Sequence, residues 1–301
     1  MMSSGSRVIL LSYLGLIGWA LEEVPQSETK YDFIAIIVET SNSKFHCTGS
    51  LVSPKIVFTS CDCIGGFLPD AQLKLIFRPI QPYHHFVFLG VKDFEEAVKY
   101  RRNLRVYAIE EIIVYQTCSY DLRLGFLNNL GALRLTEAAT RIPQAPGLVA
   151  HTKTELESYV LDRVYNEEQC IVLGYGSFNK TRPVERLRLR IIDVSLVPFL
   201  KCKGRICPIK CLLNIDIANN QEMCGTGSNE TVNCYADRGS PLICQGHFMG
   251  VIKYVHCDNR TSPLQITRMS DALPFYLSLV NCSNSPTSQM GLILILILAS
   301  K

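Results

Sequence analysis

Short runs of apolar and β-branched residues, separated by clusters of turn-forming residues, form the hydrophobic pattern of this chain. Runs of this length and spacing predict β-strands. One stretch near the end, Asp271–Val280, could form a helix. The pattern predicts a mainly antiparallel all-β barrel or sandwich. The predicted strands are Phe33–Val38, Gly49–Ser53, Ile56–Ser60, Leu73–Phe77, Phe86–Val91, Val106–Val114, Leu130–Leu135, Cys170–Leu173, Leu187–Val194, Pro241–Cys244 and Met249–Val255.

The composition is that of a folded, oxidised protein. Of the 301 residues, 48% are apolar and 19% are charged, which excludes a disordered or collagen-like chain. A net charge of +3 gives no indication of a nucleic-acid or membrane-surface partner. Thirteen cysteines indicate a compartment in which disulfides form. Because their number is odd, at least one stays unpaired or pairs with another chain.

The N-terminus has the organisation of a secretory signal peptide. Arg7 is followed by an apolar run that ends at Ala20, and the acidic residues Glu22 and Glu23 come next. This order predicts residues 1–20 as a signal peptide that is cleaved near Ala20, and hence a secreted, extracellular protein. In such a protein the N-x-S/T sequons are candidate glycosylation sites. They lie at Asn179, Asn229, Asn259 and Asn281.

The C-terminus, residues 283–301, combines a polar spacer with a short apolar tail. The apolar run at 291–299 is too short to span a bilayer, which needs about 20 residues. It fits a signal for attachment of a lipid anchor, which would place the protein at the cell surface. A frayed or locally docked tail is the alternative.

Four motifs in the body of the chain point together to one family. Their sequences are HCTGSLVSP at 46–54 with VFTSCDC at 57–63, NNLGALRL at 128–135, CIVLGYG at 170–176 and CYADRGSPL at 234–242. Together they resemble the conserved segments of trypsin-like serine proteases, in family order. The resemblance implies a homology domain at 21–282. Its fold would be two six-stranded antiparallel β-barrels, about 21–150 and 151–270, with a short C-terminal helix.

The same resemblance places a different residue at each catalytic position. Asp62 aligns with the general-base histidine, Asn129 with the orienting aspartate, and Arg238 with the nucleophilic serine. The mechanism needs a hydroxyl, an imidazole and a carboxylate, and a guanidinium cannot act as a nucleophile. We therefore predict no catalytic residues. Asp62 and Arg238 are predicted to form an ion pair with Asn129 nearby, the alternative being two independently solvated side chains.

Other parts of the catalytic apparatus are also changed. Ala236 aligns with the oxyanion-hole glycine and Val232 with the residue that sets substrate preference. Val255 aligns with a glycine of the substrate-binding strand, and no Ile-Val-Gly-Gly activation sequence is present. Asp237 aligns with the aspartate that, in the family, pairs with the N-terminal amine formed on activation. Here the aspartate is present and the activation sequence is not.

Relocated catalytic groups and a metal site are the enzyme-class alternatives. Ser240 and Cys61 lie near the aligned positions, but nothing in the sequence places a base beside Ser240, and a cysteine here is more often in a disulfide. His84-His85 lacks a spaced third ligand, so solvated loop histidines are favoured. We predict no metal and no cofactor. The other histidines, outside the matching positions, are His46, His151, His247 and His256.

Four disulfides are implied by the resemblance alone. They are Cys47–Cys63, Cys170–Cys244, Cys202–Cys224 and Cys234–Cys257. Among the rest, Cys207 and Cys211 could close a local loop, and Cys118 could meet Cys61 or Cys282. The remaining thiol would be a buried inert cysteine or would form an intermolecular disulfide.

These observations predict a secreted, non-catalytic serine protease homologue that acts by binding proteins. Possible roles are cofactor, decoy or regulator in an extracellular proteolytic pathway, with an active protease or an inhibitor as partner. The basic loop from Lys201 to Lys210 is a candidate contact surface, although a solvated charged loop is equally consistent. The alternatives are a divergent serine endopeptidase and a lipid-anchored structural or adhesion protein.

Overall fold

The computed structural model describes most of the predicted domain. The described residues are 22–25, 28–41, 44–72, 74–100, 104–121, 125–166, 168–175, 187–197, 222–227, 237–253 and 264–283. The helices are α1 (Cys61–Ile64), α2 (Phe94–Tyr100), α3 (Lys153–Tyr165) and α4 (Leu273–Ser283). The strands are β1 (Glu22–Glu23), β2 (Ile34–Glu39), β3 (Lys44–Ser53), β4 (Ile56–Thr59), β5 (Gly65–Pro69), β6 (Leu75–Pro79), β7 (His85–Leu89), β8 (Arg105–Val114), β9 (Ser119–Asp121), β10 (Gly125–Leu127), β11 (Gly131–Leu135), β12 (Gln169–Gly174), β13 (Arg190–Val197), β14 (Glu222–Gly227), β15 (Pro241–Cys244), β16 (His247–Ile252) and β17 (Leu264–Arg268).

The first half of the chain forms a closed barrel of six antiparallel strands. Their order around the barrel is β11-β4-β3-β2-β7-β8. Closure leaves no free strand edge, and the barrel interior is filled by branched side chains such as Ile36, Leu51, Leu89 and Leu133. The continuous apolar runs of β2 and β4 therefore correspond to strands that are buried along nearly their whole length.

The second half forms a second six-stranded antiparallel barrel. The strand order is β13-β12-β15-β16-β17-β14, and pairing of β14 with β13 closes the ring. The short strand β1 adds to the start of β13, where Glu22 lies opposite Ile191. The predicted fold of two six-stranded barrels is thus confirmed.

The helices lie outside the barrels, and three of the four, α1, α2 and α3, were not predicted. The predicted C-terminal helix is α4, whose residues Phe275 and Tyr276 pack against Phe58 of the first barrel. In contrast, α3 has no counterpart among the predictions; it begins at the N-cap Thr152, whose hydroxyl accepts from the backbone amide of Glu155. Within the described residues, no helix has the length and apolarity needed to cross a membrane.

The residues that precede β13 explain one difference from the predicted strands. A strand was predicted to begin at Leu187, but β13 begins at Arg190. The backbone of the preceding residues instead bonds to the first barrel: the Leu189 amide donates to the Lys92 carbonyl at 2.7 Å, and Leu187 accepts from Phe94 at 2.9 Å. These residues therefore join the two barrels before β13 begins.

Three disulfides link the described residues. Cys47–Cys63 and Cys170–Cys244 are the pairs that the resemblance implies, and Cys61–Cys118 is one of the pairings that the sequence left open. Cys224 is also disulfide-bonded. The other cysteines of the predicted pairs, together with the signal peptide, the C-terminal tail and three sequons, lie outside the described residues. Asn281, the fourth sequon, is exposed in α4.

Candidate functional site

The candidate site begins with Asp62, on the one-turn helix α1 that follows β4. Disulfides hold this helix on both sides of Asp62: Cys61 is bonded to Cys118, and Cys63 to Cys47 of β3. The Asp62 side chain is only 5% exposed. A buried carboxylate needs hydrogen-bond donors or a cation, so its neighbours determine what the site can do.

Asn129 supplies the first of these neighbours. It is fully buried at the start of β11, next to Asn128, whose backbone adopts a left-handed conformation with φ of 49°. The Asn129 side chain donates to Asp62 Oδ1 at 2.9 Å and accepts from the backbone amide of Asp62, also at 2.9 Å. These two reciprocal bonds hold the Asp62 carboxylate in place and use both the oxygen and the nitrogen of the Asn129 side-chain amide.

Arg238 reaches the carboxylate from the second barrel. It lies in the turn at 237–240, where Gly239 has φ of 81° and where a β-carbon would collide with the Thr48 carbonyl oxygen. This turn is bonded to β3 and β16: the Thr48 amide donates to the Arg238 carbonyl, and the Gly239 amide to the Ile252 carbonyl, both at 2.9 Å. Only glycine allows this close approach, which carries Arg238 to the first barrel.

The predicted ion pair between Asp62 and Arg238 is confirmed. Arg238 Nη1 lies 3.6 Å from Asp62 Oδ2, and the arginine side chain is 22% exposed. This distance exceeds that of a good hydrogen bond, so the contact is mainly an attraction between charges. The cluster therefore consists of an amide, a carboxylate and a guanidinium, which stabilise one another and offer no nucleophile.

His46 is the imidazole next to this cluster. Its Nε2 bonds to the Cys63 carbonyl oxygen at 2.9 Å, so that nitrogen carries the proton. Burial lowers the pKa of His46 and the hydrogen bond to the Cys63 carbonyl opposes this shift; His85 and Arg238 also lower the pKa, and Asp62 raises it. A neutral imidazole therefore lies beside the ion pair, with one nitrogen committed to the backbone.

Ser240, the alternative nucleophile, is not accessible. Its side chain is fully buried, and within the described part of the chain no partner accepts or donates a hydrogen bond at its Oγ. The neighbouring carboxylate of Asp237 is fully buried as well. A serine that substrate cannot reach is poorly placed for acyl transfer. Cys61 is unsuitable too, because it is in a disulfide.

The prediction that both His84 and His85 are solvated loop residues is wrong for His85. His85 begins strand β7 and is 8% exposed, and its Nδ1 bonds to the Gln81 carbonyl oxygen at 3.1 Å. His84 is exposed, as expected. Strand membership buries His85, and the dipeptide alone gave no signal for that. Other predicted site positions, Val232, Ala236, Val255 and the loop at 201–210, lie outside the described residues.

Comparison with known families decides the relationship. The family model described as Trypsin matches residues 24–275. The chain belongs to the trypsin family. Curated members of this trypsin family that it resembles include mast cell protease 8 of Mus musculus, with 23% identity over 87% of this chain and 88% of the relative. An alpha-fibrinogenase-like protein of Daboia siamensis is 21% identical over 86% of both chains.

Solved structures of the trypsin family share the fold. Human heparin binding protein superposes with a TM-score of 0.60 over 87% of this chain and 96% of its own, at 19% identity. Neuropsin, a serine protease from mouse brain, gives a TM-score of 0.61 over 86% and 97%, at 17% identity. At these identities the agreement establishes the two-barrel fold and leaves the chemistry to the site itself.

Proposed function

We propose that this chain is a secreted, non-catalytic member of the trypsin family that acts by binding another protein. The observation that carries the proposal is the Asn129–Asp62–Arg238 cluster. Its three residues align with the catalytic positions of the family, and they lie together in the cleft between the barrels. Asn129 and Asp62 satisfy each other through two hydrogen bonds and Arg238 adds the opposite charge, so the cluster has the contacts of a structural network.

The chemistry of these groups supports the absence of proteolysis. Acyl transfer by this fold requires a hydroxyl that an imidazole can deprotonate. Arg238 has no lone pair to donate, and the Nε2 of His46 is bonded to the Cys63 carbonyl. The buried Ser240 offers no alternative nucleophile. An enzyme with relocated catalytic groups is therefore less consistent with these contacts than a binding protein is.

The disulfides and the retained fold support an extracellular binding role. Three disulfides within the described residues stabilise a protein in an oxidising environment. The predicted signal peptide gives the route of export. A fold that keeps its two barrels without a catalytic group still presents the loops around the cleft as a binding surface. An active protease or its inhibitor is the proposed class of partner.

Turnover of a fluorogenic peptide panel tests the catalytic half of the proposal. Full-length protein secreted from cultured cells is assayed beside its Ser240→Ala variant and an active trypsin-family protease. We expect no turnover above the buffer rate by either form. Turnover by the wild-type protein that Ser240→Ala abolishes would establish the divergent protease instead.

Localisation and partner are tested on cells that express the full chain. We expect the protein in the medium and, after affinity capture, a protease or protease inhibitor bound to it. A covalent partner would be seen as a faster-migrating species after reduction. Retention on cells with release by a phosphatidylinositol-specific lipase would support the lipid-anchored alternative.

A further inference from the structure

His46 occupies an irregular position in the first barrel. In the pairing of β2 with β3, Ile37 lies opposite Cys47 and Val38 lies opposite Phe45, so His46 is the extra residue of a β-bulge. A bulge turns the side chain of the extra residue away from the regular alternation of the strand. The backbone therefore gives His46 a direction that a regular strand would not.

His85 lies on the opposite side of β2 from His46. It lies on β7, which pairs with the opposite edge of β2, where His85 is opposite Glu39. The two imidazole rings meet with their centroids 5.3 Å apart and their planes at 61°. Two histidines from non-adjacent strands are thus brought together next to the Asp62–Arg238 pair.

Each imidazole has one nitrogen held by a backbone carbonyl. His46 donates from Nε2 to Cys63 and His85 from Nδ1 to Gln81, at 2.9 and 3.1 Å. Since a neutral imidazole carries one proton, the other ring nitrogen, Nδ1 of His46 and Nε2 of His85, has a free lone pair. Histidines that bind metals are usually oriented by such a bond from their other ring nitrogen.

The separation of the rings matches that of two ligands on one tetrahedral metal. With a metal about 2.0 to 2.1 Å from each nitrogen and a tetrahedral angle between them, two imidazole centroids lie about 5.3 Å apart. We propose that His46 and His85 bind a divalent transition metal, with Zn²⁺ as the probe of choice. The site goes beyond the proposed function, because it requires no statement about catalysis or about the partner.

The surroundings determine the remaining coordination. Among the described residues, no group of three or more histidine, cysteine or acidic side chains is placed to hold a metal. Two positions of a tetrahedral ion would therefore be open to water or to a side chain of a bound protein. Asp62 and Arg238 carry opposite charges and are paired with each other, so the carboxylate offsets part of the repulsion between the metal and the guanidinium.

Titration of untagged full-length protein with Zn²⁺, in competition with a chromophoric chelator, tests the site. The variants are His46→Gln and His85→Gln, and His84→Gln is the matched control because His84 is exposed and its ring lies on Tyr83. We expect one site for each chain, an affinity at least about tenfold weaker in either variant, and a change of less than about twofold in the control, in line with the loss of one ligand.

A second measurement needs no variant of the buried His85. In NMR spectra of the wild-type protein, Zn²⁺ should shift the ring-proton resonances of His46 and His85 and leave those of His84 unchanged. Zn²⁺ binding of equal strength in all three variants would overturn the proposal, as would binding to a free cysteine elsewhere. Absence of binding at millimolar Zn²⁺, or shifts confined to exposed histidines, would also overturn it.

Discussion

The Asp32–Lys92 ion pair lies in the first barrel, and the Asp62–Arg238 ion pair lies between the barrels. Both carboxylates are buried, but their surroundings differ. Lys92 Nζ lies 3.0 Å from Asp32 Oδ1, and Arg105 provides a second cation at 3.7 Å. Lys92 is 4% exposed, so its ammonium has no route to water. In the cleft, by contrast, Asp62 has one cation, and Arg238 is partly exposed.

The two pairs also differ in what they hold in place. The Asp32 carbonyl accepts from Gly90, and the Lys92 carbonyl accepts from Leu189 of the segment that joins the barrels. The Asp32–Lys92 pair therefore lies at a backbone contact between the barrels. The cleft pair closes a site whose backbone is already fixed by disulfides and by the turn at Gly239. The first pair therefore lies at a contact between the barrels, and the second joins two side chains whose backbone is held by other contacts.

Lys92→Met is expected to have the largest effect. It leaves the Asp32 carboxylate buried with only the longer contact to Arg105, and removal of one partner of a buried pair typically costs about 3 kcal/mol or more. Urea unfolding of the secreted protein measures this loss. Arg105→Met is the control, with an expected loss below about 1 kcal/mol because Arg105 is 45% exposed. Equal losses in the two variants would remove the distinction.

Arg238→Met should cost less, about 2 kcal/mol, because Asn129 still donates to the Asp62 carboxylate that loses its cation. Urea unfolding of the secreted protein measures this loss, with Arg238→Lys as the variant that keeps the positive charge. A loss of the same size in Arg238→Lys would mean that packing, and not charge, causes it.

Asp62→Asn is expected to have the smallest effect, at most about 1 kcal/mol. The new amide oxygen can still accept from Asn129, and the unpaired Arg238 can turn to water because it is partly exposed. The same unfolding experiment measures the difference from Arg238→Met. If Asp62→Asn proved the more destabilising of the two, the guanidinium and not the carboxylate would be the group that needs its partner.

Much of the fold could be predicted from the sequence, because the barrel strands are short apolar runs between turn-forming clusters, and strands such as β4 and β15 are buried along their whole length. Helix α3 was missed since only Leu156 and Val160 are buried along its 13 residues, too narrow an apolar stripe to distinguish it from a loop. The strands of the β9–β10 hairpin, three residues each, were also missed. Elements that depend on tertiary contacts for their stability leave a weak signal in the sequence.

Some features of the candidate site could be predicted from the sequence and others could not. Asp62, Asn129 and Arg238 could be identified because each lies inside a motif of the family, and the ion pair followed from the family geometry. The choice between Cys61 and Cys282 as the partner of Cys118, and the meeting of His46 with His85, could not be predicted. They depend on a bulge, on the order of strands around the barrel and on which turns lie side by side. Cys118 lies 57 residues from Cys61 in the sequence, so only the fold brings the two together.

Labelling of the native full-length protein with a fluorophosphonate probe tests the central claim most directly. The probe reacts with an activated serine in a functional oxyanion hole, which the Asn129–Asp62–Arg238 cluster does not provide. An active trypsin-family protease serves as the positive control. We predict no labelling of the wild-type protein above the level of a heat-denatured sample. Stoichiometric labelling that is lost in Ser240→Ala would contradict the account.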